Sequence, residues 1–184
     1  MSQLREEEIV FNIIYVRGTV AELLPLLRNL LSHSVCQYRL VSNHCTAAEE
    51  QLLSAEAATS KRLHFHNLGA DQILQHHEAL HRLMDYDDGP CFAFMDSDIF
   101  ATGPFVSQFV EALQEHDGVF TGLPIWHEAD DGVMPAEFQI AGGRFYKSHN
   151  GLTLGLTYCA IYKKEPLQAY MHRSGMDLGR YYWG

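Results

Sequence analysis

Runs of apolar and β-branched residues alternate with amphipathic segments along this chain. Unbroken apolar runs are typical of strands buried on both faces of a parallel sheet, whereas apolar residues that repeat every three to four positions indicate helices. The runs predict strands over 9–16, 37–42, 61–67, 91–95, 118–122 and 156–162. Helices are predicted around 23–31, 47–58, 71–86, 105–116 and 166–173.

Local signals indicate where several of these helices begin. Thr46 and Glu49 have the spacing of a capping box, in which each side chain satisfies a backbone N–H of the other residue. Thr19 and Glu22 have the same spacing, but Pro25 is expected to delay or kink the helix that follows. In the segment 71–86 the residues expected on one apolar face are Ile73, His77, Leu80 and Met84.

Four β–α units in series predict an α/β fold with a mainly parallel central sheet flanked by helices. Ligands of such sheets bind at the carboxyl ends of the strands. Three segments follow strands at that edge, namely Val16-Arg17, Asn43-His44 and Asp96-Ser97-Asp98. We therefore expect these three segments to share one crevice.

Composition and charge narrow the class of protein. Of the 184 residues, 47% are hydrophobic and 20% charged, which predicts one globular domain over 1–184 and excludes a disordered chain. The net charge of −10 argues against nucleic acid as a partner. No apolar stretch approaches the roughly 18–20 residues of a membrane helix, and the N-terminus lacks the apolar core of a signal peptide. Four well-separated cysteines fit reduced thiols, so we expect a cytoplasmic protein.

The sharpest polar feature is the pair Asp96 and Asp98, which follows the most apolar of the predicted strands. Burying two carboxylates so close together is costly unless a cation or hydrogen-bond donors compensate them. Carboxylate oxygens suit a hard divalent ion, and diphosphate oxygens can complete its coordination shell. A pair of turn-forming aspartates is the alternative interpretation.

A second motif is His77-Glu78-Ala79-Leu80-His81, the H-E-x-x-H pattern of zinc metallohydrolases. Two histidines four residues apart on a helix can bind zinc while the glutamate activates water. The third ligand would have to come from far downstream, where the available residues are His127, Glu128 and His149. The alternative, which we favour, is a helix whose residues face the ligand crevice of the sheet.

The segment 92–100, Phe-Ala-Phe-Met-Asp-Ser-Asp-Ile-Phe, with Gly103-Pro104-Phe105 after it, resembles the D-x-D segment of GT-A-fold glycosyltransferases, particularly family-2-like ones. The resemblance covers most of the chain in the order of its elements, but only the D-x-D segment is specific. It implies a nucleotide-binding half over 8–98 and an acceptor-binding half over 99–184, somewhat short for a complete domain of this kind.

The resemblance implies metal-dependent transfer of a sugar from a UDP- or GDP-sugar to a carbohydrate or other hydroxyl acceptor. By this analogy Asp98 binds Mn²⁺ or Mg²⁺ directly, and Asp96 reaches the metal or the ribose. An inverting enzyme also needs a carboxylate base, for which the run 127–131 offers Glu128, Asp130 and Asp131, and we take Glu128 as the candidate. A retaining enzyme needs no such base. The implied substrate-binding residues are Tyr15, Arg17, Asn43, His77 and Ser97.

Other functions share parts of this pattern. A nucleotide-sugar-binding domain without catalysis would show the same D-x-D segment. A haloacid-dehalogenase-like phosphatase would carry threonine where Phe100 stands, and a sugar nucleotidyltransferase would have a glycine run in 15–19, where this chain has only Gly18. The family-2 pattern has an acidic residue at the position of Asn43, which leaves the base and ribose contacts open.

Overall fold

The computed structural model describes residues 4–124, 126–127, 144–145 and 155–175. The strands are β1 Val10–Val16, β2 Gln37–Asn43, β3 Leu63–Asn67, β4 Cys91–Met95, β5 Gly118–Pro124, β6 Trp126–His127, β7 Arg144–Phe145 and β8 Gly155–Lys163. The α-helices are α1 Val20–Leu23, α2 Leu26–His33, α3 Ala47–Ala57, α4 His76–Tyr86, α5 Val106–Ala112 and α6 Lys164–Ser174, after a 3₁₀ turn at Glu6–Glu8.

Six strands form one mixed sheet in the order β3-β2-β1-β4-β8-β5, and β6 pairs with β7 separately. Strands β3, β2, β1 and β4 are parallel, whereas β8 runs antiparallel to both β4 and β5. The predicted α/β fold with a mainly parallel sheet and flanking helices is confirmed, and β8 is the one strand of the six that runs in the opposite direction.

The side chains of the sheet alternate between two helical layers, as the two-residue period of strands requires. Phe11, Ile13 and Tyr15 of β1 point to the layer that contains α2, α3 and α5. Phe92 and Phe94 of β4 point to the opposite layer, where they pack with α4 and α6. The central strands are therefore buried on both faces, which explains their unbroken apolar sequences.

The helix boundaries test the capping predictions. The box at Thr46 is confirmed: its Oγ1 accepts the N–H of Glu49 at 3.3 Å, and a Glu49 carboxylate oxygen accepts the N–H of Thr46 at 2.8 Å. The box at Thr19 is wrong, because its hydroxyl donates to the carbonyl of Val16 at 2.8 Å. As expected, Pro25 divides the following segment, so that α1 and α2 are separate helices.

Helix α4 begins at His76, and the prediction that it begins at 71 is wrong. Ile73 is 50% exposed in the preceding loop instead of lying on the apolar face. The loop is held by Asn43, whose side chain exchanges two hydrogen bonds of 2.9 Å with the backbone of Leu74. These bonds compete with a helical conformation. The buried face of α4 consists of Ala79, Leu80, Leu83 and Met84.

A buried polar network lies near the amino ends of β2 and β4. Arg39 donates to Asn12 at 2.8 Å and contacts Asp87 at 3.3 Å, while Asn12 donates to the carbonyl of Ala93 at 2.8 Å. Since each polar group has a partner, the burial of Asn12 and Asp87 is compensated. No described helix is long and apolar enough to span a membrane, and all four cysteines are unpaired thiols.

Candidate functional site

The predicted site lies where neighbouring parallel strands end. Val16, the last residue of β1, pairs with Asn43, the last residue of β2, and on the other side β1 pairs with β4, which ends at Met95. Arg17, His44 and Asp96 therefore follow three adjacent strands at the same edge of the sheet. This is the edge at which α/β sheets bind their ligands.

Asp96, Ser97 and Asp98 form the turn that leaves β4. The N–H of Asp96 donates to the carbonyl of Tyr158 at 2.8 Å, which ties the start of this turn to β8. Asp96 is half-buried and Asp98 is exposed. Burial, and then the neighbouring charge of Asp98, raise the pKa of Asp96 to about 6. The pair is thus a place where a positive charge would be stabilised.

The chemistry of this pair fits the divalent ion that the resemblance implies. Both groups supply oxygen ligands, which Mg²⁺ and Mn²⁺ prefer, and neither carboxylate has a hydrogen-bonding partner among the described residues. Within the same part of the chain no group of three or more potential metal ligands comes together. Diphosphate oxygens and water are the kinds of ligand that complete the shell of such an ion.

Arg17 and His44 are in contact at the same edge of the sheet. Nη2 of Arg17 lies 3.2 Å from Nε2 of His44, and Nδ1 of His44 lies 3.2 Å from the carbonyl oxygen of Ala70. Arg17 is exposed and His44 is partly buried. Arg17 and His44 thus lie at the same edge of the sheet, where both segments were expected, but their direct contact was not predicted.

Two of the residues expected to bind substrate are buried in the structure. Tyr15 is 1% exposed because its place in β1 directs the ring into the core, and burial raises the pKa of its phenol. Tyr15 therefore supports the sheet and does not offer its side chain to a nucleotide, which corrects that expectation. Asn43 is 2% exposed. Its Nδ2 donates to the carbonyl oxygen of Leu74, and its Oδ1 accepts the N–H of Leu74.

The H-E-x-x-H residues lie beside the site on α4. Together with Leu74 and Arg82, the side chains of His77, Glu78 and His81 line a shallow pocket. Glu78, however, accepts the N–H of Gln75 at 2.9 Å and so caps the helix instead of facing a bound water. This arrangement disfavours the hydrolase interpretation, in which Glu78 would be the base.

The proposed base Glu128 lies outside the described residues, as do His149 and the side chain of His127, so these predictions stay predictions. One feature near the site was missed in the sequence. Phe100, two residues after Asp98, is 63% exposed, while Ile99 before it packs against the core. No local sequence signal distinguishes these two apolar residues.

No protein-family model and no curated protein matches this chain by sequence. Solved structures do match. The mannosyltransferase PcManGT from Pyrobaculum calidifontis, in complex with GDP-Man and Mn²⁺, has a TM-score of 0.55 at 12% identity, covering 88% of this chain and 46% of that one. S. aureus TarS 1–349 has a TM-score of 0.57 at 15% identity, covering 88% and 49%. The 4-diphosphocytidyl-2C-methyl-D-erythritol synthase from Anaerococcus prevotii has a TM-score of 0.58 at 13% identity, covering 94% and 79%.

These likenesses show the fold. The chain has a GT-A-like α/β fold, with a mixed six-stranded sheet flanked by helices, similar to the structures of PcManGT and TarS. The chain spans about half the length of PcManGT and of the TarS fragment. At such low identity the activities of these proteins are not transferred with the fold.

Proposed function

We propose that this chain binds a nucleoside-diphosphate sugar at the carboxyl edge of its sheet and transfers the sugar to a hydroxyl acceptor, with Mn²⁺ or Mg²⁺ as cofactor. The observation that carries the proposal is the position of Asp96 and Asp98 at the end of β4 in a GT-A-like sheet. The ligands of similar structures support it, since PcManGT binds GDP-Man and Mn²⁺, and TarS binds UDP-GlcNAc. We further propose that 8–98 form the nucleotide half and 99–184 the acceptor half.

The roles of the residues follow from their exposure and charge. A bound divalent ion would offset the negative charge that develops on the departing diphosphate. Asp98, which is exposed, is the direct ligand, and the half-buried Asp96 supports it from the end of the strand. Ser97, between them, contributes a hydroxyl, and Arg17 meets the phosphates. His77, whose pocket adjoins the loop held by Asn43, faces the donor.

The acceptor side of the proposal rests on the sequence. Glu128 is the proposed base if the transfer inverts the configuration of the sugar.

We also propose a cytoplasmic location, which the four unpaired thiols fit.

A second candidate is a nucleotidyltransferase, which transfers the nucleoside monophosphate of a nucleoside triphosphate to the phosphate of an acceptor and releases pyrophosphate. The observation in its favour is the likeness to the Anaerococcus synthase, of which this chain covers 79%. The products distinguish the two activities, because a nucleotidyltransferase releases pyrophosphate whereas a glycosyltransferase releases a nucleoside diphosphate. A binding domain without catalysis would release neither.

Calorimetric titration of UDP-glucose, UDP-GlcNAc and GDP-mannose, with and without Mn²⁺, tests the proposal. We expect the wild-type chain to bind at least one of them in a Mn²⁺-dependent manner. Asp98→Ala should weaken this binding more than about tenfold, the scale of losing a charged ligand. The control is Asp88→Ala, an exposed carboxylate at the other end of β4, which should bind normally. Unchanged Mn²⁺-dependent binding by Asp98→Ala would refute the proposal.

Turnover assays then separate the activities. Release of UDP or GDP from the bound donor, by hydrolysis or by transfer, supports the glycosyltransferase. Pyrophosphate release from a nucleoside triphosphate and a sugar phosphate supports the nucleotidyltransferase. Binding with neither release supports the non-catalytic domain.

A further inference from the structure

The backbone of His44 has an unusual conformation. Its φ angle is 61°, and no other non-glycine residue in the described part of the chain has a positive φ. Histidine in this left-handed region is strained, and such strain persists only where the surrounding contacts hold it, most often at functional sites. His44 directly follows β2 at the carboxyl edge of the sheet.

The two contacts of the imidazole fix its hydrogen-bonding state. A guanidinium can only donate, so Nε2 of His44 must accept from Arg17. A carbonyl oxygen can only accept, so Nδ1 must donate to Ala70. Both contacts are satisfied by one form of the ring, the neutral tautomer that carries its proton on Nδ1. His44 thus links the end of β1 to the loop before α4.

The backbone around Arg17 is held from both sides. Val16 is paired in the sheet, and the N–H of Gly18, which has φ 87°, donates to the carboxylate of Glu49 at 2.7 Å. The same carboxylate accepts the N–H of Thr46. Glu49 is therefore engaged with backbone groups, and among the described residues no carboxylate pairs with Arg17.

The guanidinium of Arg17 thus keeps its charge available at the crevice edge. One of its five N–H groups is directed to His44, and the others, which bond none of the described residues, are available to an anion. The planar guanidinium binds phosphate oxygens through pairs of parallel hydrogen bonds, so its orientation decides how well it binds them. An exposed arginine without a fixed partner would have to lose rotamer freedom on binding.

We propose that His44 is a positioning residue that holds Arg17 in the orientation needed to bind the diphosphate of the nucleotide, and that its strained backbone serves this purpose. The proposal adds a residue role to the proposed function. It rests on that function only in taking the ligand to be a nucleotide. His44 acts through Arg17 and does not itself contact the ligand.

The test uses His44→Gly, because glycine adopts the left-handed conformation without strain and lacks the imidazole. If the strain is maintained for binding, this variant should melt at the same or a higher temperature than the wild type. Its Kd for UDP or GDP with Mn²⁺, whichever the wild type binds better, should be about fivefold higher, somewhat less than the loss of a direct charged hydrogen bond. The matched control is His64→Ala, an exposed histidine on β3, which should bind normally.

A double-mutant cycle tests whether His44 affects ligand binding through Arg17. Arg17→Ala should weaken binding more than His44→Gly does, and His44→Gly should have no further effect in the Arg17→Ala background. Long-range ¹H–¹⁵N spectra of the wild type should show the His44 proton on Nδ1. A proton on Nε2, equal binding by His44→Gly and wild type, or a full effect of His44→Gly without Arg17 would each overturn the proposal.

The same titrations with inorganic pyrophosphate separate this proposal from the proposed function. Wild-type protein that binds pyrophosphate through Arg17, with His44→Gly weakening this binding, but that binds neither UDP nor GDP, would contradict only the nucleotide-sugar function. Loss of nucleotide binding in Asp98→Ala without any effect of His44→Gly would contradict only the role of His44. A wild-type chain that binds none of the three ligands would contradict both.

Discussion

The side-chain amide of Asn29 forms two hydrogen bonds with the backbone of Ala101. Nδ2 of Asn29 donates to the carbonyl oxygen of Ala101 at 3.0 Å, and the N–H of Ala101 donates to Oδ1 of Asn29 at 2.6 Å. Because Ala101 lies three residues after Asp98, this pairing fixes the path of the chain as it leaves the proposed metal site. Helix α2 thereby holds the D-x-D turn from outside the sheet.

We expect Asn29→Ala to destabilise the protein by about 1–3 kcal/mol, because the partly buried backbone groups of Ala101 lose their partners. It should also weaken Mn²⁺-dependent donor binding, since the turn after Asp98 is less well held. Urea unfolding and calorimetry measure the two effects. Arg28→Ala, at an exposed position of the same helix, should change stability by no more than about 0.5 kcal/mol. Normal donor binding by Asn29→Ala would show that the pairing serves stability alone.

Asp96 should make stability depend on pH. Burial and the charge of Asp98 raise its folded-state pKa to about 6 from the ordinary 3.8 of an aspartate, so the folded state holds this proton more tightly than the unfolded state. The associated stability is present below about pH 4 and is lost as the pH rises through about 6. In the presence of EDTA, Asp96→Asn should therefore stabilise the protein by about 1 kcal/mol above pH 7. This value is reduced because the carboxylate is partly exposed. At pH 4 the substitution should have no such effect.

Thermal unfolding at several pH values measures this difference. Asp88→Asn, at an exposed position, should change stability by no more than about 0.5 kcal/mol. A destabilised Asp96→Asn at neutral pH would mean that the ionised carboxylate has favourable partners, which the described residues do not supply.

The four thiols should differ in reactivity. Burial raises the pKa of Cys36 and of Cys159 to about 12, and it also raises the pKa of Cys45 and of Cys91. Cys91 is only half-buried, so with Ellman's reagent it should be the first to react in the native protein. All four should react in concentrated guanidinium chloride. Rapid reaction of more than one thiol in native Cys91→Ser would contradict the packing of this core.

The metal content distinguishes the two motifs. We expect the purified protein to lack stoichiometric zinc, because Glu78, which would activate water in a zinc hydrolase, caps its own helix. Mn²⁺ should instead bind weakly alone and more tightly with UDP or GDP. Elemental analysis and Mn²⁺ titration test this. About one zinc per chain, lost in His77→Ala, would favour the hydrolase.

The sequence by itself determined the α/β class, the order of the strands along the chain and the place of Asp96 and Asp98 at a strand end. These features follow from local patterns. An unbroken apolar run such as 91–95 can only be buried on both faces, and polar residues after it must lie at the end of the strand. The capping box of Thr46 was likewise readable, because its partners lie three residues apart.

Only the tertiary structure decided which side chains are available at the site. Neither the insertion of β8 between β4 and β5 nor the bond from Asn43 to Leu74, 31 residues away, leaves a local signal in the sequence. The same holds for the left-handed backbone of His44, which allows its ring to contact both Arg17 and Ala70. Long-range hydrogen bonds and strand register arise when distant segments pack together, so a pattern of neighbouring residues predicts the edge of the sheet but not which side chains remain free there.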